Sequence, residues 1–534
     1  MNSNLDVLLV RPWAPRAVPQ DALVEDALGP GYLLANLRKS GFTAGLLDAF
    51  IFRFSDHDVI QSVLAISPKV LGISLHSFAD YSHATNIARG VKQYKSDIFC
   101  VLGGEHATFL AKEILEKINE IDSIVMGEGE ETFIEITKKI VSNSQIDRIS
   151  GALTRNSDGT ILDGGPRFAI ADLDSLPYPH KDGIEIAISQ GKKAAISLLT
   201  GRGCTHKCTF CTANKFLRLG GGEIWRRRKP EAVADELETI EPYLNKPGIH
   251  PMIQFQDVIF LGTSIASIKW AQSFVQELER RKINIPFYFM TRAEAIIANE
   301  TLLPRLVKCG LRSVEIGIES GVDRILNLYN KVNSVEKTEN AINLLQKNGI
   351  AYDASGFIMF DPRMTLDELR TSAIFLAKIE HATWDRYITR LQVFPGTVVR
   401  TQLIEDGIYS VNDSLDDVYS YIFQDSKMAD VASHSWYYDI SIMFLDNLMK
   451  LAKTELATYV REGRKPPNDL QTLLNIAKKT YNEYFLSLID LANKNQLKIK
   501  FEREKLKFLQ DIKTIQTELK TLLDNPILYE KITI

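Results

Sequence analysis

Between residues 5 and about 140 the chain alternates short apolar runs with stretches of helical period. In order these are DVLLV, the helix pattern GPGYLLANLRKSGF, AGLLDAF, a helix around DVIQSVLAI, VLGISL, a helix around NIARGVKQY, IFCVLGG, a helix at AKEILEKI, and SIVMG. Buried strands alternating with helices predict a parallel sheet covered on both faces, so residues 1–145 read as a doubly wound, Rossmann-like α/β domain. Ligands of such sheets bind beyond the carboxyl ends of the strands. The glycine turns Gly103–Gly104 and Gly127–Glu128–Gly129 fall there. Residues 146–190, polar with short strands and the prolines of LPYPH, read as a linker. From Ala195 the rhythm resumes: AISLLTG, MIQFQDV, PFYFMTRA, SVEIGIES, ASGFIMFD and RYITRLQVF are separated by helical patterns. They predict a partial (β/α)6 barrel over residues 191–405, with its working groups at the carboxyl ends of the strands. Residues 406–534 are helical by period, apolar positions recurring three or four apart, and capping of the barrel is their simplest role.

Composition narrows the class without naming a chemistry. Hydrophobic residues at 45% and charged ones at 24% are ordinary for a soluble globular protein, and no apolar run approaches the ~18 residues of a membrane span. The start, MNSNLDVLLVRPWAPR, reads as a first strand rather than a signal peptide, so a cytoplasmic protein is expected. A net charge of -4, without a basic module, excludes no enzyme class but gives no reason to expect a nucleic-acid partner. Five cysteines, an odd number, argue against a disulfide framework and for thiolates used in metal or redox chemistry.

Three of those five, Cys204, Cys208 and Cys211, lie within GRGCTHKCTFCTANKF (residues 201–216), directly after the first predicted barrel strand. Thiolates are the soft ligands that iron and sulfide prefer. The spacing Cys-x3-Cys-x2-Cys offers three anchors to a four-iron cluster and leaves one iron open. A structural zinc would need a fourth ligand; His206 lies in the loop, but zinc sites more often pair their ligands as two separated couples. An electron carrier held by four cysteines would need another, and both Cys100, in IFCVLGG, and Cys309, in LVKCG, read as small buried hydrophobes.

This loop, its place after a first barrel strand and Phe210 before the last cysteine resemble the radical S-adenosylmethionine (SAM) family. The resemblance implies a [4Fe–4S] cluster on Cys204, Cys208 and Cys211, whose open iron chelates the amino and carboxylate groups of SAM. It further implies reductive cleavage of SAM to a 5′-deoxyadenosyl radical and an external electron donor such as flavodoxin or ferredoxin. By the same resemblance Phe210 is a cofactor contact, and Asp257, in QFQDVIF, meets the SAM amino group at the second strand end. Gln256 stands where related proteins often carry a further acid. Arg292, in TRAEAI, marks the third strand end, and Glu315, Glu319 and Ser320, in EIGIESG, the fourth, where the ribose or carboxylate of SAM is met. GFIMFDP (356–362) resembles the segment that packs on adenine. A plain ion pair at the barrel rim is the alternative for Arg292 and Glu319, and WRRR (225–228) reads equally as a solvated basic face.

PGYLLANLRKSGF, LLDAF, VLGISLHS, VLGGEHAT and VMGEGEET together resemble the cobalamin-binding domain found ahead of many radical SAM barrels. That implies cobalamin, with Gly103, Gly104, Gly127, Glu128 and Gly129 at its nucleotide tail, since glycine permits close backbone approach and exposed amides bind phosphate. The loop after the first strand, RPWAPRAVP, lacks the Asp-x-His-x-x-Gly histidine of other cobalamin domains, and the first histidine is His57. Cobalt is therefore expected to lack a histidine ligand from this loop, with His76, His83 and His106 as polar rim residues. The whole resembles the class B radical SAM methyltransferases. It implies methyl transfer to an unactivated carbon of a small-molecule or peptide substrate, held where the first two domains meet. Rearrangement, cyclisation or epimerisation without methyl transfer is the alternative, an epimerase requiring a thiol such as Cys309. A cobalamin-binding sensor is the alternative outside catalysis.

Overall fold

Strands that are apolar at every position need cover on both faces. In the computed structural model, which describes residues 5–13, 24–25, 27–250, 252–354, 356–411, 414–437 and 439–523, the first sheet has that cover. Its strands β1 (Val7–Arg11), β2 (Ala44–Asp48), β3 (Val70–Ser74), β4 (Phe99–Gly103) and β5 (Ser123–Val125) run parallel in the order β2-β1-β3-β4-β5. Alternation divides β1 between two cores: Leu8 and Val10 pack into one, Val7 and Leu9 into the other. The strand order reverses between β1 and β3, which is where an open α/β sheet leaves a crevice.

The stretch expected as a linker differs from that expectation. Residues 152–163 form β6 (Ala152–Arg155) and β7 (Ile161–Asp163), which extend the first sheet antiparallel beyond β5. The following segment folds back over the first domain, with the His180 amide donating to Gly31 O (3.2 Å) and Arg38 paired to Asp182 (2.9 Å). The composition signals flexibility; the pairing partners, 30 residues away, are not visible locally.

The second sheet is parallel, in the order β8 (Ser197–Leu198), β11 (Ile253–Phe255), β12 (Phe287–Arg292), β13 (Leu311–Gly317) and β14 (Ala351–Asp353). Between β8 and β11 an antiparallel hairpin of β9 (Gly201–Gly203) and β10 (Trp225–Arg227) brackets the cysteine loop. The sixth position of the partial barrel is a single parallel rung. Phe360 N–H donates to Thr389 O (3.0 Å) and Leu391 N–H to Phe360 O (2.9 Å).

The C-terminal helices Ser426–Ser435, Ile440–Arg461, Asn468–Asn493 and Leu497–Leu523 share one apolar core with the barrel. Trp384 is buried among Tyr437 (5.3 Å), Tyr484 (5.4 Å) and Phe508 (5.6 Å). Asp446 accepts the amides of Trp384 and Asp385, both at 3.0 Å, and so caps that turn from the helical region. The helices therefore cap the barrel. Trp384→Ala should cost about 3–5 kcal/mol of stability, read as a lowered urea midpoint. Among the described residues no helix is long and apolar enough to cross a membrane.

Candidate active site

The hairpin that opens the cysteine loop depends on two glycines. Gly201 stands opposite Arg227 and Gly203 opposite Trp225. A Cβ on Gly201 would lie 2.5 Å from Arg227 Cδ; one on Gly203, whose φ is +104°, would lie 2.0 Å from the Ile224 carbonyl oxygen. Gly203→Ala should thus force the strands apart immediately before Cys204. The expected result is a chain with native far-UV circular dichroism and a reduced iron content after anaerobic reconstitution.

Cys204, Cys208 and Cys211 follow as free, half-buried thiols. The barrel grips the loop between them: Thr209 N–H donates to Tyr329 O (2.9 Å), Val399 N–H to Thr209 O (2.9 Å) and Asn330 Nδ2 to Lys207 O (3.0 Å). Phe210, expected at a cofactor, meets the Tyr329 ring edge-on at 5.1 Å and serves as an anchor of the loop.

Positive charge surrounds the thiols. Arg292, at the end of β12, donates Nη1 to Cys208 Sγ at 3.4 Å and Nε to Glu294, while its buried Nη2 has no protein partner. Lys331 pairs with Glu319 at 2.5 Å, both buried. Arg292 and Glu319 thus belong to two different ion pairs rather than to one at the rim. Glu319 has φ +62°, a left-handed conformation uncommon outside glycine, and Ile358 N–H holds its carbonyl at 2.7 Å. Ser320 is fully buried, its Oγ accepting from Val322 N–H at 3.2 Å. Burial pushes the Cys204 thiol up while Arg292 and Lys331 pull against it. Burial and the Arg292 charge push His206 down to about 4, which keeps it neutral. Among the described residues no three His, Cys, Asp or Glu side chains converge on a single metal ion. Three thiols with neighbouring cations suit a thiolate-bound iron–sulfur cluster better than zinc.

Asp257 departs from its expected place at the SAM amino group. It is buried, and both oxygens are used: Oδ1 accepts from Thr200 Oγ1 (2.7 Å) and Arg227 Nη1 (2.6 Å), and Oδ2 from Thr200 N–H (3.0 Å). Burial pushes the Arg227 guanidinium down to about 10, against the pull of Asp257; it remains a cation, over the rings of Trp225 (4.4 Å) and Trp270 (4.0 Å). WRRR is likewise no solvated face. Strand alternation turns Arg226 and Arg227 to opposite sides. Arg226 pairs with Glu128, Arg227 with Asp257, and Arg228 with Glu236 and Asp174.

A cavity of about 610 Å³ lies beyond the carboxyl ends of β1, β3, β4 and β5 and reaches Leu199, Gln256 and Val258 of the barrel and Phe216 of the cysteine loop. Gly103, Gly104, Gly127 and Gly129 line it. A Cβ on Gly103 or Gly127 would have no neighbour nearer than 3.9 Å and would project into open space. Gly104, at φ +115° with Leu75 O only 2.7 Å from its would-be Cβ, is required by the turn itself. These glycines leave a bare backbone cradle, which fits the tail of a large nucleotide-bearing ligand. Glu128, expected among the cobalamin contacts, lines the cavity but spends its carboxylate on Arg226 at 2.6 and 2.9 Å. Burial opposes its ionisation, yet Arg226 and Arg202 outweigh that and hold its carboxyl below the ordinary range. His76 lines the cavity, whereas His83 pairs with Asp56 (2.7 Å) and His106 is buried against Leu415 O (2.8 Å). The loop RPWAPRAVP lies outside the described residues from residue 14 onward.

Arg202, Glu130, Glu294 and Lys331 escaped the sequence reading. The signal available for the first two was the acidic GEGEE turn set against the basic residues beside GRGC.

A doubly wound domain and a partial barrel with a three-cysteine loop, facing each other across one cavity, define a radical SAM protein with a cobalamin-type domain. A B12 binding domain model matches residues 23–137, and a Radical SAM superfamily model matches residues 198–376. The chain belongs to the cobalamin-dependent radical SAM enzymes, whose cofactors are a [4Fe–4S] cluster, SAM and cobalamin. It is 30% identical over 331 residues to the anaerobic magnesium-protoporphyrin IX monomethyl ester cyclase of Rubrivivax gelatinosus, covering 60% of this chain and 57% of that protein, less than two thirds of its length. It is 25% identical over 373 residues to the cytidylyl-2-hydroxyethylphosphonate methyltransferase of Streptomyces wedmorensis, covering 60% and 67% of the two chains. The cobalamin-dependent SAM radical enzyme OxsB, solved with aqua-cobalamin and SAM, matches with a TM-score of 0.73 at 17% identity, over 99% of this chain and 81% of that one. The methyltransferase TsrM of Kitasatospora setae matches at 0.60 and 16% identity, over 93% and 100%. At such identities the structural likeness establishes the fold.

Proposed function

We propose that this chain is a cobalamin-dependent radical SAM methyltransferase that methylates an unactivated carbon of a small-molecule or peptide substrate. The observation that carries the reading is the shared cavity, which runs from the glycine-lined strand ends of the first domain to the cysteine loop and the second barrel strand. When bound, the cluster with SAM supplies hydrogen-atom abstraction and cobalamin supplies a methyl carrier. The residues of the chain hold, orient and shield. Cys204, Cys208 and Cys211 anchor the cluster, and Arg292 directs its unpartnered Nη2 at a carboxylate-sized neighbour. Glu319 and Ser320 shape the fourth strand end, while Gly103, Gly104, Gly127 and Gly129 receive the tail of the corrin. The likeness to methyltransferases, among them the hopanoid C-3 methylase of Methylococcus capsulatus at 23% identity, supports this choice. An external one-electron donor of the flavodoxin or ferredoxin kind completes the system.

The cyclase relative at 30% identity favours a second reading, ring closure without methyl transfer. Epimerisation finds no support in Cys309, which is buried at the helix end before β13, away from the carboxyl ends, with burial pushing its thiol up to about 11. Anaerobic reconstitution with iron, sulfide and cobalamin, then SAM and reductant, separates the possibilities. Deoxyadenosine together with S-adenosylhomocysteine is expected. Deoxyadenosine alone would favour the cyclase-type reading, and neither product would leave a cobalamin-binding sensor.

A further inference from the structure

The hairpin that opens the cysteine loop is bound to the cobalamin side of the molecule by one compact group of charges. Arg202 of β9 and Arg226 of β10 are register partners. Cross-strand partners project from the same face of a hairpin. Both therefore reach the turn after β5, whose Gly127 and Gly129 line the 610 Å³ cavity. Arg202 Nη2 lies 2.5 Å from Glu130 Oε1, and its Nη1 lies 3.5 Å from Glu128 Oε1. Arg226 holds both oxygens of Glu128, at 2.6 and 2.9 Å. The Arg202 guanidinium also sits over the ring of Tyr32, 5.2 Å away, on the helix Leu28–Lys39 that walls the same cavity. None of the four charged side chains is more than 11% exposed. Cys204 is two residues beyond Arg202.

Buried ion pairs of this kind add little net stability, because desolvation offsets their attraction, but they fix geometry closely. Bidentate guanidinium–carboxylate contacts are the most directional available. A movement of the Gly127–Gly129 turn must therefore move the strand that leads into Cys204, or break contacts that have no solvent to replace them.

We propose that Arg202 and Arg226 are positioning residues that couple the cobalamin cavity to the cluster loop, so that filling the cavity orders residues 201–216. The proposal rests on the reading that this cavity receives cobalamin. It concerns the ordering of the loop rather than the reaction, so it does not depend on methyl transfer.

The test uses the full chain and hydroxocobalamin. Hydrogen exchange across residues 201–216 is compared with and without cobalamin in the wild type and in the Arg202→Met/Arg226→Met double variant. In the wild type, cobalamin should slow exchange in this loop at least about fivefold, the lower end of ordinary coupling between sites. The double variant should still bind cobalamin, followed by its absorbance spectrum, yet show no such protection. Arg202→Lys, which keeps the charge and loses the fork, should fall between the two. Protection that survives in the double variant overturns the proposal. A second measurement needs no variant: coupling is reciprocal, so cluster-loaded protein must bind hydroxocobalamin more tightly than cluster-free protein by at least about fivefold. Equal affinities overturn the proposal even where the double variant does not fold. Failure of the wild type to bind cobalamin at all would instead remove the reading beneath it.

Discussion

Replacing Cys208 by alanine should reduce deoxyadenosine formation to background and remove most of the reconstituted iron, measured by iron assay and by the anaerobic absorbance of the cluster. Two anchors cannot hold three irons of a cluster against loss, and thiolates are the donors iron and sulfide require. Cys208 carries a further burden, since its Sγ is the atom that Arg292 contacts at 3.4 Å. Cys204→Ala and Cys211→Ala should behave alike. Cys100→Ala and Cys309→Ala are the controls. Both thiols are buried in apolar surroundings, pushed up by burial to about 12 and about 11, and so stay protonated and unreactive. Those two variants should keep their iron and their SAM cleavage. Iron retained in Cys208→Ala, or lost in Cys309→Ala, would contradict the assignment of the cluster to the loop.

Asp257→Ala should destabilise the chain by about 3–5 kcal/mol, the cost of leaving a buried charge without its partner. The charge left behind is Arg227, which is fully enclosed and has Asp257 as its ion-pair partner. Because Asp257 also accepts the amide and hydroxyl of Thr200, the loss falls on the junction of β8 with the hairpin that opens the cluster loop. The expected readout is a lowered urea midpoint together with poor iron loading. A role at the SAM amino group would instead raise the KM for SAM and leave stability unchanged. Arg227→Met combined with Asp257→Leu removes both charges at once and should recover much of the lost stability, since a pair of buried charges is replaced more cheaply than one.

The fate of Asp257 shows where sequence reading stops. Its position at a strand end was legible, because an apolar run followed by Gln256 and Asp257 marks the carboxyl end of a parallel strand. Its partner was not, because Arg227 lies 30 residues earlier, inside WRRR, a stretch that reads equally well as exposed. Glu128 repeats the lesson across 98 residues: the turn was located correctly, and Arg226 then claimed its carboxylate. The linker expectation failed for the same reason. Local composition reports how polar a segment is, while β6 and β7 exist because β5 presented an unpaired edge.

Sequence by itself determined the order of strands and helices, the two α/β units, the helical tail and the three-cysteine loop, all through local periodicity and spacing. Tertiary structure alone decided which charges meet. It turned three consecutive arginines to three separate acids, placed Arg292 and Lys331 near the thiols, and made one cavity from the strand ends of two domains. The physical reason is that hydrophobic period is written within a few residues. The pairing of buried charges depends on which distant segments the packed cores bring within 3 Å, and no local pattern carries that information.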